Sequence, residues 1–159
     1  MRILNLILFF TIPSLCYSHG GKVHREETVI LPSKDAFIDI YKQVNDDYIR
    51  QVEPIFQAKC FNCHSLKTNY PWYYKLPGAK QIINDHIKEA LGHLDMTEGF
   101  PFKGHETPIK DLEALKKTIQ NDSMPPWYYR IFHEDSSVTD QEKELIFKWI
   151  DSSLEKLRP

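Results

Sequence analysis

Three things are scarce in this 159-residue chain: cysteine, methionine and net charge. Only three cysteines are present, too few for the dense pairing of a small disulfide scaffold. The formal charge of −2, with no cluster of Lys or Arg, gives no electrostatic footprint for nucleic acid. Beyond residue 15 no apolar run is long enough to cross a bilayer, and no stretch alternates convincingly as a strand. What is plentiful is aromatic: nine Phe, eight Tyr and three Trp, in a chain long enough for one real core.

The first residues read as a leader. Met1-Arg2 supplies a positive start, and Ile3 to Leu15 is apolar, broken only by Asn5, Thr11, Pro13 and Ser14. Cys16-Tyr17-Ser18 places small residues at the −3 and −1 positions of a signal-peptidase site, so cleavage is expected after Ser18. The run is short for a membrane span, and bulky Leu15 before Cys16 makes a poor lipoprotein signal. The expectation is an exported, periplasmic chain with no stable membrane span. It divides into the leader at 1–18, an extension at 19–47 with one helix, and a main domain at 48–159.

Export leaves two cysteines, Cys60 and Cys63, in the stretch Cys60-Phe61-Asn62-Cys63-His64. Two cysteines three apart with histidine after the second is the attachment signature of a c-type haem. On a helical turn, positions i and i+3 share a face, so both thiols can reach the two vinyl groups of one porphyrin. The following imidazole is then carried to the iron. A zinc site would need further ligands at short spacing, and none stands there. A thiol–disulfide oxidoreductase would need a βαβ setting that the sequence lacks.

Around this motif the pattern is helical. Ala36, Phe37, Ile40, Tyr41, Val44 and Tyr48 recur at three and four behind a capping Ser33. Pro54 suits the first turn of a short helix that ends at the haem motif. Ile82, Ile83, His86, Ile87, Ala90, Leu91 and Leu94 mark one face of a helix over 80–94. Thr107-Pro108 opens another to about Asn121, and Thr139 with Glu142 forms a capping box for a last one to about Leu157. Between them lie long loops at 65–79 and 95–107. The reading is an all-α, cytochrome c-like domain whose long loops wrap one haem.

A haem iron held by His64 has one more axial position. Met124, in Ser123-Met124-Pro125-Pro126, is the leading candidate, because two prolines stiffen the backbone that presents its thioether. Met96 lacks that brace. His86, His93, His105 and His133 are the histidine alternatives, with His133 first. Pro71-Trp72-Tyr73-Tyr74-Lys75 and Pro126-Trp127-Tyr128-Tyr129-Arg130 echo one another. Each reads as an aromatic wall, with Trp72 and Trp127 beside the cofactor and Lys75 and Arg130 able to pair with its propionates.

The series Cys60 to Ser65, Tyr70-Pro71-Trp72-Tyr73, Met124-Pro125-Pro126, Tyr129 to His133 and Thr139 to Trp149 resembles the haem-binding domain family of bacterial exported c-type cytochromes. The resemblance runs from about Val52 to Ile150 and leaves His19 to Tyr48 outside. It implies one covalent haem c on Cys60 and Cys63, with His64 as proximal ligand, and it singles out Met124 and His133. The function expected is single-electron transfer with a redox partner protein. The alternative is a peroxidase-like or gas-sensing haem with an open or displaceable sixth position, where His133, His105 or His86 serves as a distal group.

Overall fold

In the computed structural model of the chain, residues 33–158 are described; the expected leader and cleavage site lie outside them. Ser33 accepts the Ala36 N–H on its side-chain oxygen and opens α1 (Lys34–Gln51). After Val52 come α2 (Glu53–Lys59), with Pro54 in its first turn, and the one-turn α3 (Phe61–His64). A 3-10 turn at Trp72–Lys75 leads to α4 (Ala79–His93). Thr107 and Pro108 start α5 (Pro108–Gln120). Then follow α6 (Trp127–Phe132), a 3-10 turn at Glu134–Ser136 and α7 (Asp140–Leu157). Thr139 and Glu142 form the reciprocal capping box at the start of α7, satisfying two backbone donors that a helix end otherwise leaves free.

The domain is all-α, with two departures from expectation. A two-residue ladder joins β1 (Leu94–Asp95) to β2 (Lys103–Gly104), antiparallel with Leu94 opposite Gly104. Such a short ladder shows no alternation for sequence to betray. The segment after Pro126, read as a loop wall, coils into α6. Pro126 stands just before its first turn, where a missing N–H costs nothing. α1 runs across residue 48, and its Val44 and Tyr48 are fully buried in the common core.

That core is aromatic. Tyr48, Phe56, Phe100, Phe102 and Trp149 meet with ring centroids 5.3–6.4 Å apart, several edge to face. Contacts of that kind add about 0.5–1.5 kcal/mol each beyond the area they bury. Trp149 donates its indole N–H to the Val44 carbonyl at 3.3 Å, tying α7 to α1. Asp47 on α1 accepts from Lys156 on α7 at 2.6 Å and from its neighbour Arg50 at the same distance. Leu112, Leu115 and Ile119 of α5 close the core from the other side.

The 95–103 loop is held by specific contacts. Gly99 has φ +80°, and a Cβ there would press on the Asn45 side-chain oxygen at 2.7 Å. That oxygen instead accepts the Phe100 N–H at 2.8 Å, which turns Phe100 into the aromatic core. Among the described residues, no helix is long and apolar enough to cross a membrane.

Candidate haem site

The Cys60–His64 stretch is built on a kink. Cys60 caps the end of α2, its N–H still bonded to the Phe56 carbonyl at 2.8 Å, and its backbone (φ −121°) starts the new turn α3. The Cys60 carbonyl then accepts from the N–H groups of both Cys63 (3.1 Å) and His64 (2.9 Å). The motif therefore folds as one tight turn, bringing together the residues its spacing places on one face.

Burial pushes the Cys60 thiol up to about 12, and burial also raises Cys63. Redox-active CxxC pairs need the reverse, a thiol whose pKa is lowered toward neutrality. Both groups stay protonated at neutral pH and are unpaired.

His64 is oriented by its backbone neighbours. Its Nδ1 lies 2.8 Å from the Leu94 carbonyl, where only an N–H can bond, so the proton sits on Nδ1 and the lone pair on Nε2. Burial, the largest influence, lowers its pKa and keeps the ring neutral. A neutral imidazole with its far nitrogen fixed by a carbonyl is the arrangement of a ligating histidine. The Met96 N–H returns the link by donating to the His64 carbonyl at 2.7 Å.

Asn62, inside the motif, was invisible as a functional residue. Its side chain accepts the Asn69 N–H at 3.0 Å and donates to the Tyr129 hydroxyl at 3.2 Å, while its carbonyl accepts from Thr68. It thus fastens the attachment turn both to the loop that follows and to α6. No spacing rule marks such a residue; only the fold brings Tyr129 to it.

Beside Cys63 opens a cleft of about 200 Å³ between α3, α4 and α6, walled by Ile82, Ile83, Ile87, Tyr128 and Phe132. Ile82 and Phe132 are 59% and 75% exposed, and no residue of α4 is buried. A polar pair is set into the wall: the Tyr73 hydroxyl is 2.9 Å from His133 Nε2, and the His133 ring stacks on Tyr129 with centroids 4.0 Å apart. Burial lowers the His133 pKa, so the neutral ring accepts from the tyrosine. Of the motif, Asn62 and Cys63 line the cleft and Cys60 and His64 do not; apolar walls next to two thiols and a neutral imidazole on one turn are the donor chemistry that a haem takes.

The other predicted residues are dispersed. Met124 is 44% exposed at the end of the α5–α6 connection, joined to Pro125 by a cis peptide, and does not line the cleft. Met96 is buried in the side-chain core. Trp72 and Trp127 are exposed, Lys75 is exposed and Arg130 is half-buried. His86 lines the cleft near Tyr128, whereas His93 and His105 face each other elsewhere.

These features define a helical domain with the Cys60–His64 turn beside an apolar cleft. The chain belongs to the haem-binding domain family, whose model matches residues 23–152. That span begins before α1, so the stretch expected to lie outside the resemblance enters it from residue 23. The chain is also similar to cytochrome c peroxidase Ccp of Escherichia coli (strain K12), 32% identical over 93 residues. This covers 57% of the present chain but only 20% of that protein. No solved structure matches it.

Proposed function

We propose that this is an exported c-type cytochrome domain that carries one covalent haem and passes single electrons, with His64 and Met124 as axial ligands. The observation that carries the reading is the attachment turn joined to the His64–Leu94 hydrogen bond. Two thiols and an imidazole with its lone pair on Nε2 stand on a single turn. Cys60 and Cys63 would form the thioether links and His64 the proximal bond. A bound haem supplies a ferric/ferrous couple, and thioether ligation raises its potential.

The chain's own residues do the rest. The Leu94 carbonyl holds the imidazole in its coordinating tautomer. Ile82, Ile83, Ile87 and Phe132 would cover one side of a bound ring. Met124 would supply the sixth bond from its proline-braced segment. His133 is a weaker candidate, because its Nε2 already accepts from Tyr73 and its ring is clamped on Tyr129. The likeness to a segment of a cytochrome c peroxidase fits a module that delivers electrons to a redox partner, whether a separate protein or a further domain.

The second reading, a peroxidase-like or gas-binding haem, is favoured by the exposure of Met124, which leaves the sixth position displaceable. One experiment separates the two. The holoprotein is expected to show the weak near-infrared charge-transfer band of Met-ligated ferric haem, and its ferrous form should ignore carbon monoxide. Met124→Ala removes the band and opens the iron to carbon monoxide. A wild-type protein that already binds carbon monoxide readily would establish the second reading instead.

A further inference from the structure

Away from the cleft, two imidazoles are held together by backbone register. In the β1–β2 ladder Leu94 stands opposite Gly104, so His93, the last residue of α4, and His105 are the next pair along. His105 Nε2 lies 3.2 Å from His93 Nδ1, with the rings inclined at 75°, and both residues are exposed. We propose that His93 and His105 form a two-imidazole site for a divalent transition-metal ion of the zinc class.

The separation has the right size. Zinc–nitrogen bonds of about 2.05 Å at the tetrahedral angle place two ligand nitrogens about 3.3 Å apart. The two nitrogens face each other as donor and acceptor of one hydrogen bond, so an ion would enter by displacing that bond and turning both exposed rings to bring their lone pairs onto it. Cross-strand placement supplies the preorganisation, since directly opposed residues in an antiparallel pair hold their side chains within reach of each other.

A second observation comes from beneath the ladder. Asp111 is only 8% exposed, and its Oδ2 has no hydrogen-bond partner. The carboxylate is packed against Gly104, where a Cβ would overlap it, which explains glycine next to His105. Burial raises its pKa, a backbone hydrogen bond from Glu106 is the largest opposing influence, and His105 opposes the rise more weakly. A buried carboxylate oxygen without a partner is costly, and a cation held on the nearby His105 would offset that cost. Asp111 is not itself a ligand: among the described residues no group of three His, Cys, Asp or Glu side chains gathers to hold a metal. Water completes the coordination, so the site is open and exchangeable.

The proposal does not depend on the electron-transfer reading, and zinc is the suitable probe because it has no redox chemistry to mix with the haem iron. Zinc uptake by the haem-loaded chain would be measured at neutral pH against a chromogenic chelator. His93→Gln and His105→Gln keep a polar side chain without an imidazole, and circular dichroism would verify their helicity. The wild type is expected to take up one zinc equivalent more than either variant, or to bind that equivalent at least tenfold more tightly. Retention by either variant, or no uptake by the wild type, overturns the site.

Discussion

Two amphipathic helices of this chain have opposite fates. α7 spans 18 residues and buries Ile146, Trp149, Ile150, Ser153, Leu154 and Leu157. α4 spans 15 residues, carries an equally regular apolar stripe, and buries none of it. The half of the molecule around α1, α5 and α7 is filled by its own side chains, above all the ring cluster centred on Tyr48 and Trp149. The half around α3, α4 and α6 opens a cleft beside Cys63. An amphipathic face that side chains cover only by half, as at Ile83, Ile87, Ala90 and Leu91, is waiting for something else apolar. Here the attachment turn at its edge says what that is.

The contrast can be broken at several points. The largest effect belongs to the attachment residues. Cys60→Ser combined with Cys63→Ser should abolish covalent haem entirely, and haem that still resists acid–acetone extraction would remove the thioether assignment. In the other half, Trp149→Ala should cost about 3–5 kcal/mol, the range for a large aromatic deleted from a packed core. The loss would appear as a lower urea midpoint. Ile82→Ala, measured on haem-free chain, should lie within about 0.5 kcal/mol of wild type, as for an exposed residue. Equal losses at Trp149 and Ile82 would erase the distinction between the halves.

The smallest effect is electrostatic. Hydrogen bonds from Lys156, then Arg50, hold the Asp47 carboxyl below the usual carboxylate range. Its folded pKa is therefore lower than its unfolded pKa. The stabilisation is complete above the unfolded value near 3.8 and is lost as pH falls through the folded one. The group is partly solvated, so Asp47→Asn should cost about 0.2–1 kcal/mol at neutral pH, fading in acid and in high salt. A difference that persists at low pH would mean that packing, not charge, joins α1 to α7 there.

Much of this was legible in the sequence because it rests on local rules. Ser33, Thr107 and Thr139 each cap the helix they were expected to open, and the three-and-four periodicity located α1, α4, α5 and α7. The turn of the haem motif follows from its own spacing. What periodicity could not say is which stripes are covered. The stripe of α4 reads like that of α7, and only the tertiary arrangement distinguishes them. The short ladder and α6 escaped for a related reason: two-residue strands and a six-residue helix carry too little pattern. The roles of Leu94, Asn62 and Tyr129 were out of reach, although all three residues stood in stretches the sequence marked. Leu94 acts through its carbonyl, which any residue owns, and Asn62 and Tyr129 meet 67 positions apart.

The central claim is that the half-covered face of α4 belongs to the cofactor. Hydrogen–deuterium exchange on the haem-loaded chain, compared with the haem-free Cys60→Ser/Cys63→Ser form, tests it directly. The account predicts that amides of Ala79–His93 lose at least tenfold protection without haem while those of Asp140–Leu157 change little. If α4 stays as protected as α7 in the haem-free chain, its face is satisfied by protein alone and the account is wrong.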